Sequence, residues 1–97
     1  MSQISVRYFG MLREVAGRRQ EVFNIDDSSS ATELIKLLSA KHGQKFTEFI
    51  FDPRGRLRQG FAFAVNGHSV DESKLQGIKC KKIHEFVILP PISGGVG

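Results

Sequence analysis

Ser30-Ala31-Thr32-Glu33-Leu34-Ile35-Lys36-Leu37-Leu38-Ser39-Ala40-Lys41-His42-Gly43 is the stretch whose reading organises the rest of the chain. Ser30 and Glu33 stand in capping-box spacing, in which hydroxyl and carboxylate each satisfy a backbone donor at a helix start. Ala31, Leu34, Ile35 and Leu38 then recur at helical spacing on one face, with Glu33, Lys36 and Lys41 lying away from it. Gly43 supplies a left-handed terminator. One long amphipathic helix follows, and it needs an apolar surface to cover.

The flanking segments supply that surface. Upstream, Ile4, Val6 and Tyr8 alternate with Ser5, Arg7 and Phe9, which predicts a strand over about residues 3–9 that Gly10 ends. Residues 11–19 read as a longish loop around Gly17. A second strand at residues 21–25 then pairs antiparallel with the first, because so short a connection cannot make a parallel crossover. Downstream, Phe46, Phe49, Ile50 and Phe51 read as a short helical piece, and Asp52-Pro53-Arg54-Gly55 as a type I turn. Phe61, Phe63 and Val65 alternate into Asn66-Gly67, the favoured dipeptide of a two-residue hairpin, with a short strand near residues 68–70. After an irregular polar stretch containing Gly77, His84-Glu85-Phe86-Val87-Ile88-Leu89 is nearly continuous in apolar character and belongs in the middle of a sheet. The order ββαβββ predicts an α+β domain with the helix packed across a small mixed sheet.

A chain of 97 residues fits one domain, since two would each be too small to build a core. The single cysteine, Cys80, excludes an internal disulfide framework, and with only three scattered histidines no recognised zinc pattern forms. No unbroken apolar run is long enough for a leader or a membrane span, so a cytosolic protein is expected. The net charge of +4 admits an anionic partner, but the basic residues are dispersed along the chain, which fits a solvated surface better than a nucleic-acid face. Cys80 with His84 four residues on could be read as a sulfur relay. No third group orients the histidine, so Cys80 is expected to be an ordinary exposed or half-buried thiol, and His68 a solvated turn residue.

The domain is expected to span residues 1–89, with residues 90–97 as a projecting tail: Pro90-Pro91-Ile92-Ser93-Gly94-Gly95-Val96-Gly97 can sustain neither helix nor interior strand. Eight extended residues reach roughly 26 Å. Two prolines stiffen the base and the glycines leave the tip bare enough for a narrow channel, although glycine-rich termini also fray without purpose.

Three motifs in order carry a resemblance. Val6-Arg7-Tyr8-Phe9-Gly10-Met11-Leu12-Arg13-Glu14-Val15-Ala16-Gly17, then Gly55-Arg56-Leu57-Arg58 with Val65-Asn66-Gly67, and finally Val87-Ile88-Leu89-Pro90-Pro91-Ile92-Ser93-Gly94-Gly95 resemble the MoaD and ThiS sulfur carriers. The resemblance implies a β-grasp, ubiquitin-like fold with a mixed sheet of four to five strands on one main helix and a flexible C-terminal tail. It also implies a carrier rather than an enzyme, with no permanently bound cofactor. A MoeB/ThiF-like adenylyltransferase would use ATP to adenylate the terminal glycine, and a sulfurtransferase would supply sulfur for a thiocarboxylate. The loaded tail, Pro90, Pro91, Ile92, Ser93 and Gly94, would then enter a MoaE-like large subunit to build molybdopterin, with Phe9, Arg13 and Leu89 meeting partners. An α-carboxylate is ionised at neutral pH and is a poor acyl donor until its oxygen becomes a phosphate leaving group. The partner must therefore supply the phosphate clamps, the metal and the dry cavity.

The chain departs from the family where Val96 and Gly97 follow the usual Gly-Gly end. Either a processing peptidase exposes Gly95, or Gly97 is the working terminus, or carrier activity has been lost; a valine beside the reacting carbonyl would crowd a channel built for glycine, which favours Gly95. Ile83-His84 stands where relatives usually carry Gly-Asp, and the balance is basic where acidic is usual. Alternative readings are a ubiquitin-like protein modifier, or a carrier for another acceptor such as tRNA, cysteine or thiamine. The weakest is an RNA-binding module through Arg54, Arg56 and Arg58, which lack interleaved stacking aromatics.

Overall fold

The computed structural model describes residues 1–91. Among these residues five strands form one sheet: β1 (Ser2–Tyr8), β2 (Gln20–Ile25), β3 (Ala62–Val65), β4 (His68–Val70) and β5 (Glu85–Leu89), in the order β2-β1-β5-β3-β4. β1 and β2 pair antiparallel, with Ile4 opposite Phe23 and Val6 opposite Glu21. β5 lies in the centre, parallel to β1 and antiparallel to β3, as its apolar run predicts. Among the described residues three α-helices join it: α1 (Gly10–Ala16), α2 (Ala31–His42) and α3 (Gln44–Ile50). This is the β-grasp arrangement, and the expectation of an α+β domain with one main helix on a mixed sheet holds.

The capping box forms as read: Glu33 N–H donates to Ser30 Oγ at 3.2 Å and Ser30 N–H donates to Glu33 Oε1 at 2.8 Å. The core lies between the inner sheet face and the helices. Ile4, Val6 and Tyr8 of β1 and Phe86 and Ile88 of β5 are buried against Leu34, Ile35 and Leu38 of α2. Phe63 stacks on Phe86 with ring centroids 6.0 Å apart. Each such side chain contributes roughly 1.5–3 kcal/mol on leaving water, so the period-two and period-3.6 stripes meet in one cluster.

Two segments differ from the sequence reading. Most of the stretch taken as a loop over residues 11–19 is α1, which ends at Gly17 in the left-handed region (φ 77°). Leu12 is buried and Val15 and Ala16 pack on the core, so about two turns of helix close the hairpin end. The polar stretch before β5 forms two 3-10 turns, Glu72–Gly77 and Cys80–Lys82. Asp71 caps the first by accepting from Ser73 N–H at 3.1 Å. At the hairpin, Asn66 (φ 52°) and Gly67 (φ 85°) take the two positive angles of a type I′ turn. Asn66 Oδ1 accepts from the N–H of His84 (2.7 Å) and of Glu85 (3.0 Å), tying the turn to the start of β5.

Cys80 corrects the expectation of an exposed or half-buried thiol. It is wholly buried, its Sγ donates to the Ser30 carbonyl at 3.4 Å, and burial, with Glu33 nearby, pushes the thiol up to about 11. A thiol kept protonated and out of solvent has no reactive thiolate to offer a sulfur relay.

Candidate functional site

The site forms where β5 runs out. Leu89 is the last residue of β5, and Pro90 and Pro91 carry the chain away across two glycines. A Cβ on Gly10 would meet Pro90 Cγ at 3.2 Å, and one on Gly60 would meet Pro91 Cβ at 2.8 Å. Both glycines also hold positive φ, 56° and 95°, so an L side chain there is strained twice over. The base of the tail is thus seated by close backbone approach at both prolines.

Around it lies an open apolar groove of about 450 Å³, lined by Phe9, Gly10, Met11, Phe49, Leu89 and the two prolines. Met11 is 60% exposed and Leu89 39%, an apolar rim that the domain's own core does not cover. Phe9 is half-buried and its ring lies beneath the Arg7 guanidinium, 5.5 Å from the centroid. Arg13 is half-buried on α1 beyond Phe9, in a recess that both residues line, and is not the solvated loop charge it could be taken for. The structure therefore gathers Phe9, Leu89, Pro90 and Pro91 along one groove, with Arg13 flanking it. The readings on Ile92, Ser93, Gly94, Gly95, Val96 and Gly97 lie outside the described residues.

Sequence reasoning missed Met11, Phe49 and Gly60 as parts of this surface. Met11 stands inside the Phe9–Arg13 motif and could have been found had that segment been read as a helix with Leu12 turned inward. Phe49 reads as core from its spacing; it does pack edge-on against Phe61 at 5.8 Å while also lining the groove.

The β1 end that presents Phe9 is fixed from beneath by buried charge. Tyr8 Oη donates to Glu21 Oε2 at 2.6 Å, and His42 at the end of α2 bonds the same oxygen. Glu21 Oε1 accepts from Lys41 Nζ at 2.9 Å and Arg18 at 3.2 Å. Phe46 stacks on the His42 ring with centroids 5.1 Å apart. Burial alone would raise the Glu21 carboxyl, but its hydrogen bonds to Tyr8, His42, Lys41 and Arg18 outweigh it and hold the group at about 2. Burial, and then the Glu21 carboxylate, push the Tyr8 phenol well above its usual range.

Among the described residues no group of three or more His, Cys, Asp or Glu side chains could hold a metal ion, and no helix is long and apolar enough to cross a membrane. What the described residues offer is an exposed apolar groove beside the end of β5. Together with the β-grasp sheet, that defines the class: a small ubiquitin-like protein of the MoaD/ThiS type. The model of the ThiS family matches residues 6–95, nearly the whole chain, and the chain belongs to that family. It is 29% identical over 93 residues to the molybdopterin synthase sulfur carrier subunit of Chlamydomonas reinhardtii, covering 96% of this chain and 99% of that one. Among solved structures, the small archaeal modifier protein SAMP1 of Haloferax volcanii superposes with a TM-score of 0.81 at 24% identity, over 96% of this chain and 99% of that one. A putative molybdopterin converting factor subunit 1 from Pyrococcus furiosus gives 0.72 at 24% identity, over 95% and 100%. These two share the fold.

Proposed function

We propose that this protein is a cytoplasmic sulfur carrier for molybdopterin synthesis, acting as a substrate for other proteins and not as a catalyst. The observation that carries this reading is the extent of the family match, which takes in both the tail-base residues and the Gly94-Gly95 pair and ends at residue 95. The reacting group is then the Gly95 carboxylate, set free by a peptidase that removes Val96 and Gly97, with the carboxylate of Gly97 as the untrimmed alternative.

A carboxylate oxygen attacks the α-phosphorus of ATP on a MoeB/ThiF-like adenylyltransferase, and pyrophosphate leaves. The terminal sulfur of a sulfurtransferase persulfide attacks the acyl-adenylate carbonyl and displaces AMP; a thiol then cleaves the S–S bond, leaving a thiocarboxylate. A MoaE-like large subunit takes the loaded tail, Pro90 to Gly94 leading to the reacting carbon, while Phe9, Leu89 and Arg13 give the partner its hold outside the channel. The exposed apolar rim at the tail base supports that hold, because uncovered apolar surface beside a functional segment marks a docking site. ATP and its metal belong to the activating partner.

The test is pyrophosphate exchange: full-length and Gly95-ended protein are each incubated with ATP, a cognate adenylyltransferase and labelled pyrophosphate. The Gly95-ended form is expected to support exchange, and intact-mass analysis after addition of the sulfurtransferase to show one oxygen replaced by sulfur. Exchange with neither form overturns the proposal. A second reading, protein modification through the same activated glycine, draws on the modifier protein that shares this fold. It predicts higher-mass conjugates detected in the host by an antibody against this chain.

A further inference from the structure

Sharing Phe9 with the apolar groove is a smaller recess of about 240 Å³, lined by Arg7, Tyr8, Phe9, Arg13, Arg19 and Gln20. Its three guanidiniums come from three places in the chain: β1, α1 and the segment entering β2. Arg7 is partly engaged, by Glu85 at 3.5 Å and by the Phe9 ring. Neighbouring Arg18 is committed to Glu21. Among the described residues, Arg13 and Arg19 make no ion pair. The Nε–H of Arg13 is moreover buried with no hydrogen-bond partner among them. A buried donor without an acceptor is destabilising, and native proteins keep few. Both residues are held by their backbones: the Arg13 carbonyl accepts from Gly17 N–H and the Arg19 carbonyl from Tyr8 N–H, each at 2.9 Å.

We infer that this recess receives a carboxylate side chain of a docking protein, with an adjoining apolar side chain of the same partner in the groove on the other side of Phe9. The guanidinium fork matches a carboxylate in two parallel hydrogen bonds, which gives register as well as attraction. Continuity with the groove favours a protein-borne carboxylate, because a free oxyanion would use only the basic half of a surface that Phe9 joins into one. A nucleic acid would need a track of stacking aromatics and spaced cations, and Arg54, Arg56 and Arg58 sit instead at the separate turn after α3. The net charge of +4 would steer an acidic partner surface towards the domain. This deepens the carrier reading, on which it rests for the identity of the partner alone.

The test is an NMR titration of the full isotope-labelled chain with acetyl-Glu-Leu-Glu-amide and, separately, acetyl-Gln-Leu-Gln-amide at low salt. The glutamate peptide is expected to bind roughly fivefold more tightly, to shift the Arg13 Nε–H resonance together with amides of Phe9, Met11 and Leu89, and to weaken as salt rises. Arg13→Gln and Arg19→Gln should each erase most of the difference between the peptides; Arg13→Lys should keep part of it, and Arg54→Gln should leave it unchanged. Equal binding of the two peptides, or shifts centred on Arg54, Arg56 and Arg58, overturns the inference. So does inorganic phosphate that moves Arg13 Nε–H as far at matched ionic strength, since the recess would then serve free oxyanions. Pyrophosphate exchange on the same wild-type sample separates the two readings. Exchange without peptide selectivity removes the docking recess and leaves the carrier; selectivity without exchange removes the carrier and leaves the recess.

Discussion

Two neighbouring parts of this molecule sort their side chains in opposite ways. Beneath the end of β1, a carboxylate sits inside: Glu21 is buried and its carboxylate is hydrogen-bonded to Tyr8, Arg18, Lys41 and His42. At the end of β5, apolar side chains sit outside: Met11 and Leu89 are exposed along a groove that Phe9, Phe49, Pro90 and Pro91 also line. The first arrangement is complete in the isolated chain, because four partners compensate the desolvated charge. The second leaves apolar surface exposed among the described residues. A region that satisfies itself should govern stability, and a region that does not should govern association.

Several substitutions separate the two roles. The largest effect is expected from removing residues from Gly94 onward, which should abolish pyrophosphate exchange while moving the thermal midpoint by no more than about 1 °C, since terminal residues add little to a core. A large midpoint shift would mean that the tail belongs to the fold.

Next comes Glu21→Gln. The Glu21 carboxyl is held at about 2 against the usual 4.5, so the folded state disfavours its proton. The resulting stability is fully present above pH 4.5 and is lost as pH falls towards 2. Allowing for the solvent-exposed ammonium and guanidinium partners, it amounts to roughly 2 kcal/mol. Glu21→Gln should lower the midpoint by roughly 10 °C at neutral pH, leave exchange intact at low temperature, and flatten urea-derived stability between pH 4.5 and 2. An unchanged acid profile would refute the buried-charge account.

Leu89→Ala and Phe9→Ala should act the other way round. Each is expected to weaken partner binding roughly tenfold, as for anchors at the centre of an interface, with a stability loss under about 1 kcal/mol for the more exposed Leu89. Calorimetry against the activating partner and a melting curve on the same samples measure both. Smallest of all, Cys80→Ala should leave exchange and sulfur loading unchanged, because the thiol is buried and held protonated. Loss of loading with folding intact would reopen a relay.

Much of this comparison was legible before any coordinates. The capping box, the apolar stripe of α2, the Asn66-Gly67 hairpin and the central place of β5 all follow from local spacing, and the structure keeps each. The three ordered motifs likewise pointed to the right family. What escaped reading was short or long-range. α1 is seven residues long, too short for periodicity to stand out between Gly10 and Gly17. The Tyr8–Glu21–His42 contact joins residues 13 to 34 positions apart, and the sequence marks none of them as a partner of the others.

By itself, then, the sequence determined the main helix, the five strands and the family, because caps, turns and periodic stripes are decided over a few residues. Tertiary structure alone decided that Cys80 is sealed, that Glu21 is charged inside the domain, and that Phe9, Met11, Leu89 and three arginines meet around one corner. Burial, carboxyl ionisation and surface continuity depend on which distant segments pack together, and no local pattern of residue types encodes that.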